Sequence, residues 1–330
     1  MTRHPLWVLA RPAMLPYLWL LVLAGYGWAH WDRALTFRGG EGLVAVLLAW
    51  GALHAGTLWL NAGLDRDEGP VLFGEPVPVP RWIRTPGLVA LALSVGLGAW
   101  AGCVEGVAAG IAAALAVLYS RPERPWKGHQ VLGPLVNWVG YGLLSPLVGW
   151  AVVRVSPDPR TLLAWLFGSL GVLGVYFLAQ VFQQEEDRAR GYRTLVATHG
   201  PALTLAVGHL LLGAGVLGGV GLTALGWLPR VSLVLLPLGV WNSWGLWRWG
   251  QRLPDASPAE ALAAVRRLLA LALVALVVNL AWYAWECQGG GPVAGLATAD
   301  GLPDDRPAWP PRAMRAWERA HDPWEDRWCP

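Results

Sequence analysis

The sequence predicts an all-α fold: a polytopic membrane helical bundle of about nine transmembrane helices. Three observations predict it. Charged residues make up 14% of the 330, against about 25% in an average soluble domain. Apolar residues reach 55% and the mean hydropathy is +0.41. The apolar residues also fall in runs of about 20, the length that crosses a bilayer as a helix. So little charge cannot cover so much apolar surface in water. The same composition excludes a disordered chain, a disulfide scaffold with its three Cys, and a nucleic-acid binder, because a net charge of +3 makes no large basic field.

The expected spans are 13–31, 41–62, 85–103, 105–120, 131–153, 161–182, 202–226, 231–249 and 263–286. Each is apolar all round and rich in Leu, Val, Ala and Gly, as helices packed in lipid are. Only a turn near Gly102 and Cys103 separates the third from the fourth. The first run continues to spanning length, so no cleavable signal peptide is expected. With the N-terminus inside, inner segments carry fifteen Arg or Lys and outer loops five. That bias predicts an N-in topology in an inner or cytoplasmic membrane.

Residues 1–287 therefore form the transmembrane domain, and 288–330 a flexible extramembrane tail. The tail begins with Gly-Gly-Gly, continues with Pro, Asp, Arg and scattered Trp, and has one candidate short helix near 311–321. Cys287 and Cys329 either pair in an oxidising compartment or remain free thiols. Lys127 is the sole lysine beside 24 Arg, a weak pointer to a site that needs a compact ammonium.

Ionisable residues near membrane helix ends are functional candidates, because burying them is costly. Acids gather at two such ends, both on the predicted inner side. At the end of the second span, His54, Asn61, Asp65 and Glu68 share one helical face if the helix continues, with Asp67 to one side. At the end of the sixth, Tyr176, Gln180, Gln183, Gln184 and Asp187 form a stripe beside Glu185 and Glu186. Amides inside an apolar helix need partners. Oxygen donors on two facing helices suit Mg²⁺, which takes one or two carboxylates and completes its shell with water and phosphate. Between the two lies a basic loop, Arg121-Pro122-Glu123-Arg124-Pro125-Trp126-Lys127. Two acidic ends and one basic loop on one membrane face can hold a metal-bridged diphosphate. Each cluster alone is equally a boundary with water. His54 is read as bonding a helix neighbour. Asn137 either contacts diphosphate or bridges helices. Asn242 and Asn279 are read as interhelical hydrogen bonders.

In this order and spacing the chain resembles the UbiA superfamily of intramembrane prenyltransferases over residues 7–287. Asn61 and Asp65 match its first acidic motif. Asp187, Gly191 and Thr194 match its second. Arg11-Pro12, Leu118-Tyr119-Ser120, Lys127, Leu132-Gly133 and Asn137 match its other landmarks. The departures are Ala62 and Gly69 in the first motif, and Gln183 in the second, where Asp is expected. Asp67, Glu68, Glu185 and Glu186 stand nearby.

The resemblance implies a bundle around a central cavity and Mg²⁺-dependent transfer from an isoprenyl diphosphate to a hydrophobic acceptor among membrane lipids. It implies Asp65, Asp187 and Lys127 as catalytic residues, and Asn61, Asp65, Glu68, Gln183 and Asp187 as metal ligands. Asn61, Arg121, Arg124, Lys127, Asn137 and Arg193 would bind diphosphate. Tyr119, Tyr141, Tyr176 and Gln180 are the cavity candidates. No nucleic-acid partner is expected, and no protein partner is predictable. Two alternatives stay open: a non-catalytic isoprenoid- or lipid-binding protein on the same fold, and, ranked last, a transporter with an acidic proton relay.

Overall fold

The structure is a computed structural model. It describes residues 4–33, 40–65, 77–153, 157, 159–225, 227–228, 233–234, 236–252 and 258–287. Glu68, Asp67 and the tail 288–330 lie outside these residues, as does Cys329.

A short helix α1 (Pro5–Leu9) leads the bundle. Pro at its first turn has a pre-set φ and lacks an N–H that would go unpaired there. The His4 ring accepts from the Leu6 N–H at 3.4 Å. The Trp59 indole donates to the Leu6 carbonyl at 2.9 Å, which ties α1 to the third helix. The chain then reverses at Arg11, which takes a left-handed φ of 47° before Pro12.

Two long helices follow, α2 (Leu15–Arg33) and α3 (Gly40–Asp65). α4 (Arg84–Ala101) and α5 (Cys103–Ser120) make a tight antiparallel pair around Gly102. The next passage is composite: α6 (Leu132–Asn137), a π-helical segment Trp138–Leu144, and α7 (Ser145–Ala151). α8 (Pro159–Gln180) leads through a 3₁₀ turn at Val181–Gln183 into the short α9 (Gln184–Ala189). α10 (Leu195–Ala224), α11 (Leu236–Gly250) and α12 (Pro258–Cys287) complete the bundle. All nine expected spans are present as helices. Among the described residues, seven helical stretches are long and apolar enough to cross a membrane. The other two are the interrupted 132–151 passage and α11, which has only 15 residues.

Small residues bring the backbones together where the site is built. A Cβ on Gly56 of α3 would lie 2.8 Å from the Gly87 carbonyl oxygen of α4. One on Gly174 of α8 would meet the Gly208 carbonyl oxygen of α10 at the same distance. Lipid is as apolar as Leu, so this close backbone contact is what binds membrane helices to each other. The Arg84 Nε donates to the Gly63 carbonyl at 2.7 Å and caps the last turn of α3, the turn that carries Asp65. Asn242 donates to the Ala264 carbonyl at 2.9 Å and joins α11 to α12, as expected. Asn279 donates to Ala275 within its own helix.

Cys103 is disulfide-bonded. The Cys287–Cys329 bridge considered from the sequence involves Cys329, which lies outside the described residues. Cys103 sits at the α4–α5 turn, at the end of the bundle opposite Asp65.

Candidate active site

The polar end of the bundle is assembled from three pieces far apart in the chain. α3 brings Asn61 and Asp65. The α5 end and its following loop bring Ser120 and Lys127. The α8–α9 end and the turn after it bring Asp187, Arg190 and Thr194.

The loop is fixed by its backbone. Trp126–Gly128 forms a 3₁₀ turn. The Arg193 N–H donates to the Gly128 carbonyl at 2.7 Å, and His129 forms an isolated parallel bridge with Arg193. On the other side Gly191 takes φ +70°, a left-handed conformation that favours glycine, and the Tyr192 N–H donates to the Asp187 carbonyl at 2.9 Å. The sharp turn thus sets Thr194 beside Asp187.

Lys127 is the centre of the arrangement. Its ammonium donates to Asn61 Oδ1 at 2.7 Å and forms an ion pair with Asp65. Asn61 Oδ1 also accepts from the Ser120 hydroxyl at 3.2 Å. Lys127 and Asp65 side chains are only 8% and 9% exposed. The Tyr192 ring centroid lies 5.9 Å from the ammonium. Burial, then the Arg190 guanidinium, pull the Lys127 pKa from the ordinary lysine value down to about 7, while Glu186 and Asp187 oppose that shift.

The second cluster is organised differently. The Thr194 hydroxyl donates to Asp187 Oδ2 at 2.6 Å and accepts from the Ala197 N–H at 3.3 Å, capping α10. Arg190 pairs with Glu186 at 2.7 Å and reaches across to Asp65 at 3.7 Å, which links the two clusters.

Beneath this polar layer lies a cavity of about 90 Å³ lined by Leu18, Trp50, Leu53, His54, Thr57, Ala112, Leu115, Ala116, Tyr119, Val136, Asn137, Gly140, Tyr141 and Ser145. Thr57 and Ala116 stand one helical turn below Asn61 and Ser120. The π-helical segment places Gly140 and Tyr141 on the cavity wall; such wide turns recur at functional sites. The Tyr119 hydroxyl bonds Asn137 and Tyr176, and Gln180 donates to the Tyr176 hydroxyl at 2.9 Å. Gln180 Oε1 is buried without a hydrogen-bond partner.

The structure brings Asn61, Asp65, Lys127 and Asp187 together as one group, and Tyr119, Tyr141 and Asn137 onto the cavity wall. Tyr176 and Gln180 stand behind that wall. His54 is buried and lines the cavity, with its ring against the Ala10 and Arg11 backbone. Asn137 bonds both Gly133 of its own helix and Tyr119 of α5, so it does bridge helices.

Other expected residues stand apart. Arg121 is exposed and paired with Glu123 at 2.9 Å, and Arg124 and Arg193 are exposed. Gln183 is half-buried in the 3₁₀ turn, which breaks the register of the expected stripe. Gln184 consequently turns to the Val196 carbonyl, at 3.3 Å. Glu68 lies outside the described residues. Arg190 and Ser120 were missed by sequence reasoning. Arg190 follows Asp187 by three positions on a helical turn, a spacing that could have flagged it.

The profile of the UbiA prenyltransferase family matches residues 13–265. The chain belongs to that family. It is a multi-pass integral membrane protein. The fold resembles that of a UbiA homolog from Archaeoglobus fulgidus bound to GPP and Mg²⁺, with a TM-score of 0.61 at 18% identity over 84% of this chain and 99% of that one. It also resembles the apo structure of a UbiA homolog from Aeropyrum pernix K1, with a TM-score of 0.58 at 17% identity over 80% and 97%. A digeranylgeranylglyceryl phosphate synthase gives 0.57 at 14% identity over 82% and 98%. No curated protein sequence matches the chain.

Proposed function

We propose that this UbiA-family protein transfers an isoprenyl group from an isoprenyl diphosphate to a lipid-soluble acceptor within the membrane, using Mg²⁺. One observation carries the reading: Asn61 and Asp65 on α3 converge on Lys127 and Arg190 above a cavity inside the bundle, and Asp187 after α8 lies within electrostatic reach of both cations. The donor set fits a cation: the Asn61 and Asp65 oxygens hold the Lys127 ammonium, and Asp187 presents a carboxylate hydrogen-bonded only by Thr194 among the described residues. Asn61, Asp65 and Asp187 are the ligand candidates among the described residues, with Gln183 and Glu68 as further candidates from the sequence. The A. fulgidus homolog, bound to GPP and Mg²⁺, supports the choice of ligand and ion.

When bound, Mg²⁺ neutralises charge that develops on the departing diphosphate. The chain's own residues do the rest. Lys127 and Arg190 donate charge-assisted hydrogen bonds to the diphosphate oxygens. Thr194 holds the Asp187 carboxylate in one orientation. The cavity excludes water, and the faces of Tyr119 and Tyr141 favour positive charge on the allylic carbon as its C–O bond breaks. The acceptor then bonds to that carbon and gives up a proton.

The polar end faces the cytoplasm in this proposal, as the Arg and Lys bias implies. The disulfide at Cys103 supports it, because it stands at the opposite end, where an oxidising compartment would lie. The test is to supply membranes containing the protein with a labelled prenyl diphosphate and Mg²⁺, and to follow label into lipid-soluble products other than the free alcohol. Transfer is expected from the wild type and lost in Asp65→Asn and Asp187→Asn. Tight binding without transfer to any membrane extract would favour a non-catalytic isoprenoid-binding protein, the reading suggested by Ala62, Gly69 and Gln183.

A further inference from the structure

The two acidic helix ends differ in how their oxygens are used. At the α3 end, Asn61 Oδ1 accepts from Lys127 at 2.7 Å and from Ser120 at 3.2 Å. A carbonyl oxygen has two lone pairs, and both are taken. Asp65 holds the same ammonium and faces Arg190 at 3.7 Å. At the α9 end, Asp187 accepts one hydroxyl, from Thr194, and has no ion-pair partner among the described residues.

We infer that Lys127 itself fills the cation position between Asn61 and Asp65, so that the site loads a single divalent ion, at Asp187, rather than one ion at each motif. The inference rests on the proposed function and specifies its metal count.

Displacing Lys127 is difficult for three reasons. Its backbone is held in the 3₁₀ turn by the Arg193-to-Gly128 hydrogen bond, so the side chain cannot leave by a loop movement alone. Its ammonium would lose both oxygen partners while still buried. An ion arriving at Asn61 would also have to displace the Ser120 hydroxyl to free a lone pair. Asp187 asks none of this: among the described residues only Thr194 hydrogen-bonds its carboxylate, and that bond orients it. Mg²⁺ accepts such a site, because one carboxylate with waters and phosphate oxygens completes its shell. Both motifs lose carboxylates, at Ala62 and Gly69 on the α3 side and at Gln183 on the other, but only the α3 end holds its own cation.

The experiment counts ions. Protein in lipid nanodiscs at pH 6.5 is saturated with a non-cleavable prenyl thiodiphosphate and titrated with Mn²⁺, the free ion being followed by electron paramagnetic resonance. The wild type is expected to hold one Mn²⁺ per chain. Asp187→Asn should weaken that ion by at least about 10- to 100-fold, the loss typical of disturbing a metal's surroundings. Lys127→Ala should raise the count to two, because it frees an Asn61 lone pair and leaves the buried Asp65 with only Arg190, at 3.7 Å. Lys127→Arg should keep it at one and controls for folding. Two ions on the wild type, or one on Lys127→Ala protein that still binds the thiodiphosphate, would overturn the inference and leave the proposed function standing. No Mn²⁺ retained by the wild type at all would remove both.

Discussion

Thr194→Val removes a single hydroxyl and keeps the side-chain shape. That hydroxyl donates to Asp187 Oδ2 at 2.6 Å and accepts from the Ala197 N–H at 3.3 Å. The first contact is a charge-assisted hydrogen bond, worth about 1.5–3 kcal/mol. The second is the N-cap of α10, worth about 1 kcal/mol. The two losses should show in different assays. Without its donor, Asp187 is free to rotate, and the Mg²⁺ concentration for half-maximal prenyl diphosphate binding should rise. A loss of 1.5–3 kcal/mol corresponds to about 10- to 150-fold, in line with the 10- to 100-fold typical of groups that orient a metal ligand. Loss of the cap should lower the thermal midpoint in detergent slightly, with or without Mg²⁺. Thr194→Ser keeps the donor and should stay within about threefold of the wild type in the Mg²⁺ titration. An unchanged Mg²⁺ requirement in properly folded Thr194→Val would refute the reasoning, since Asp187 would then have no bearing on the ion.

Three further outcomes follow from the geometry. Arg190→Ala should weaken diphosphate binding more than tenfold, because its guanidinium joins Glu186 to Asp65 across the site, whereas Arg121→Ala should change it less than about twofold, because Arg121 is exposed on Glu123. Diphosphate binding should take up a proton at alkaline pH. Burial and the Arg190 guanidinium lower the Lys127 pKa to about 7, so the free protein holds this proton less firmly than an ordinary lysine, and a bound anion opposes that shift. Calorimetry in buffers of different ionisation heat should show proton uptake on binding that is larger at pH 8 than at pH 6; Lys127→Arg should abolish the difference. Gly87→Val should lower the thermal midpoint and impair binding, because a Cβ there would lie 2.9 Å from the Leu60 backbone nitrogen, while Gly110→Ala, with open space around it, should be neutral in both assays.

The helices were legible because lipid selects for length and hydropathy, two properties that a linear sequence displays. The interruptions were not. Nothing in the apolar run 131–153 distinguishes a straight helix from one with a π-helical segment at Trp138–Leu144, because that choice is made by packing against neighbours. α3 is continuous to Asp65, so His54, Asn61 and Asp65 keep the helical spacing of the expected face, while its fourth member, Glu68, lies outside the described residues. The stripe from Tyr176 to Asp187 was not, because the 3₁₀ turn at Val181–Gln183 shifts the register and sends Gln184 to α10. Asp187 keeps its place at the site through the turn at Gly191 and the hydroxyl of Thr194, not through helical periodicity. Arg190 is one basic residue among several on the inner side of the sequence; only the fold shows it reaching Asp65. The disulfide at Cys103 was invisible for the same reason, because which cysteines meet depends on the fold, not on spacing in the chain.

The central claim is that these separated helix ends grip a diphosphate through a divalent cation. Equilibrium binding of labelled geranyl diphosphate to the nanodisc-held protein, with Mg²⁺ and with excess chelator, tests it most directly. Saturable binding that needs Mg²⁺ and disappears in both Asp65→Asn and Asp187→Asn is the predicted result. Binding of equal strength in chelator, untouched by either substitution, would contradict the account.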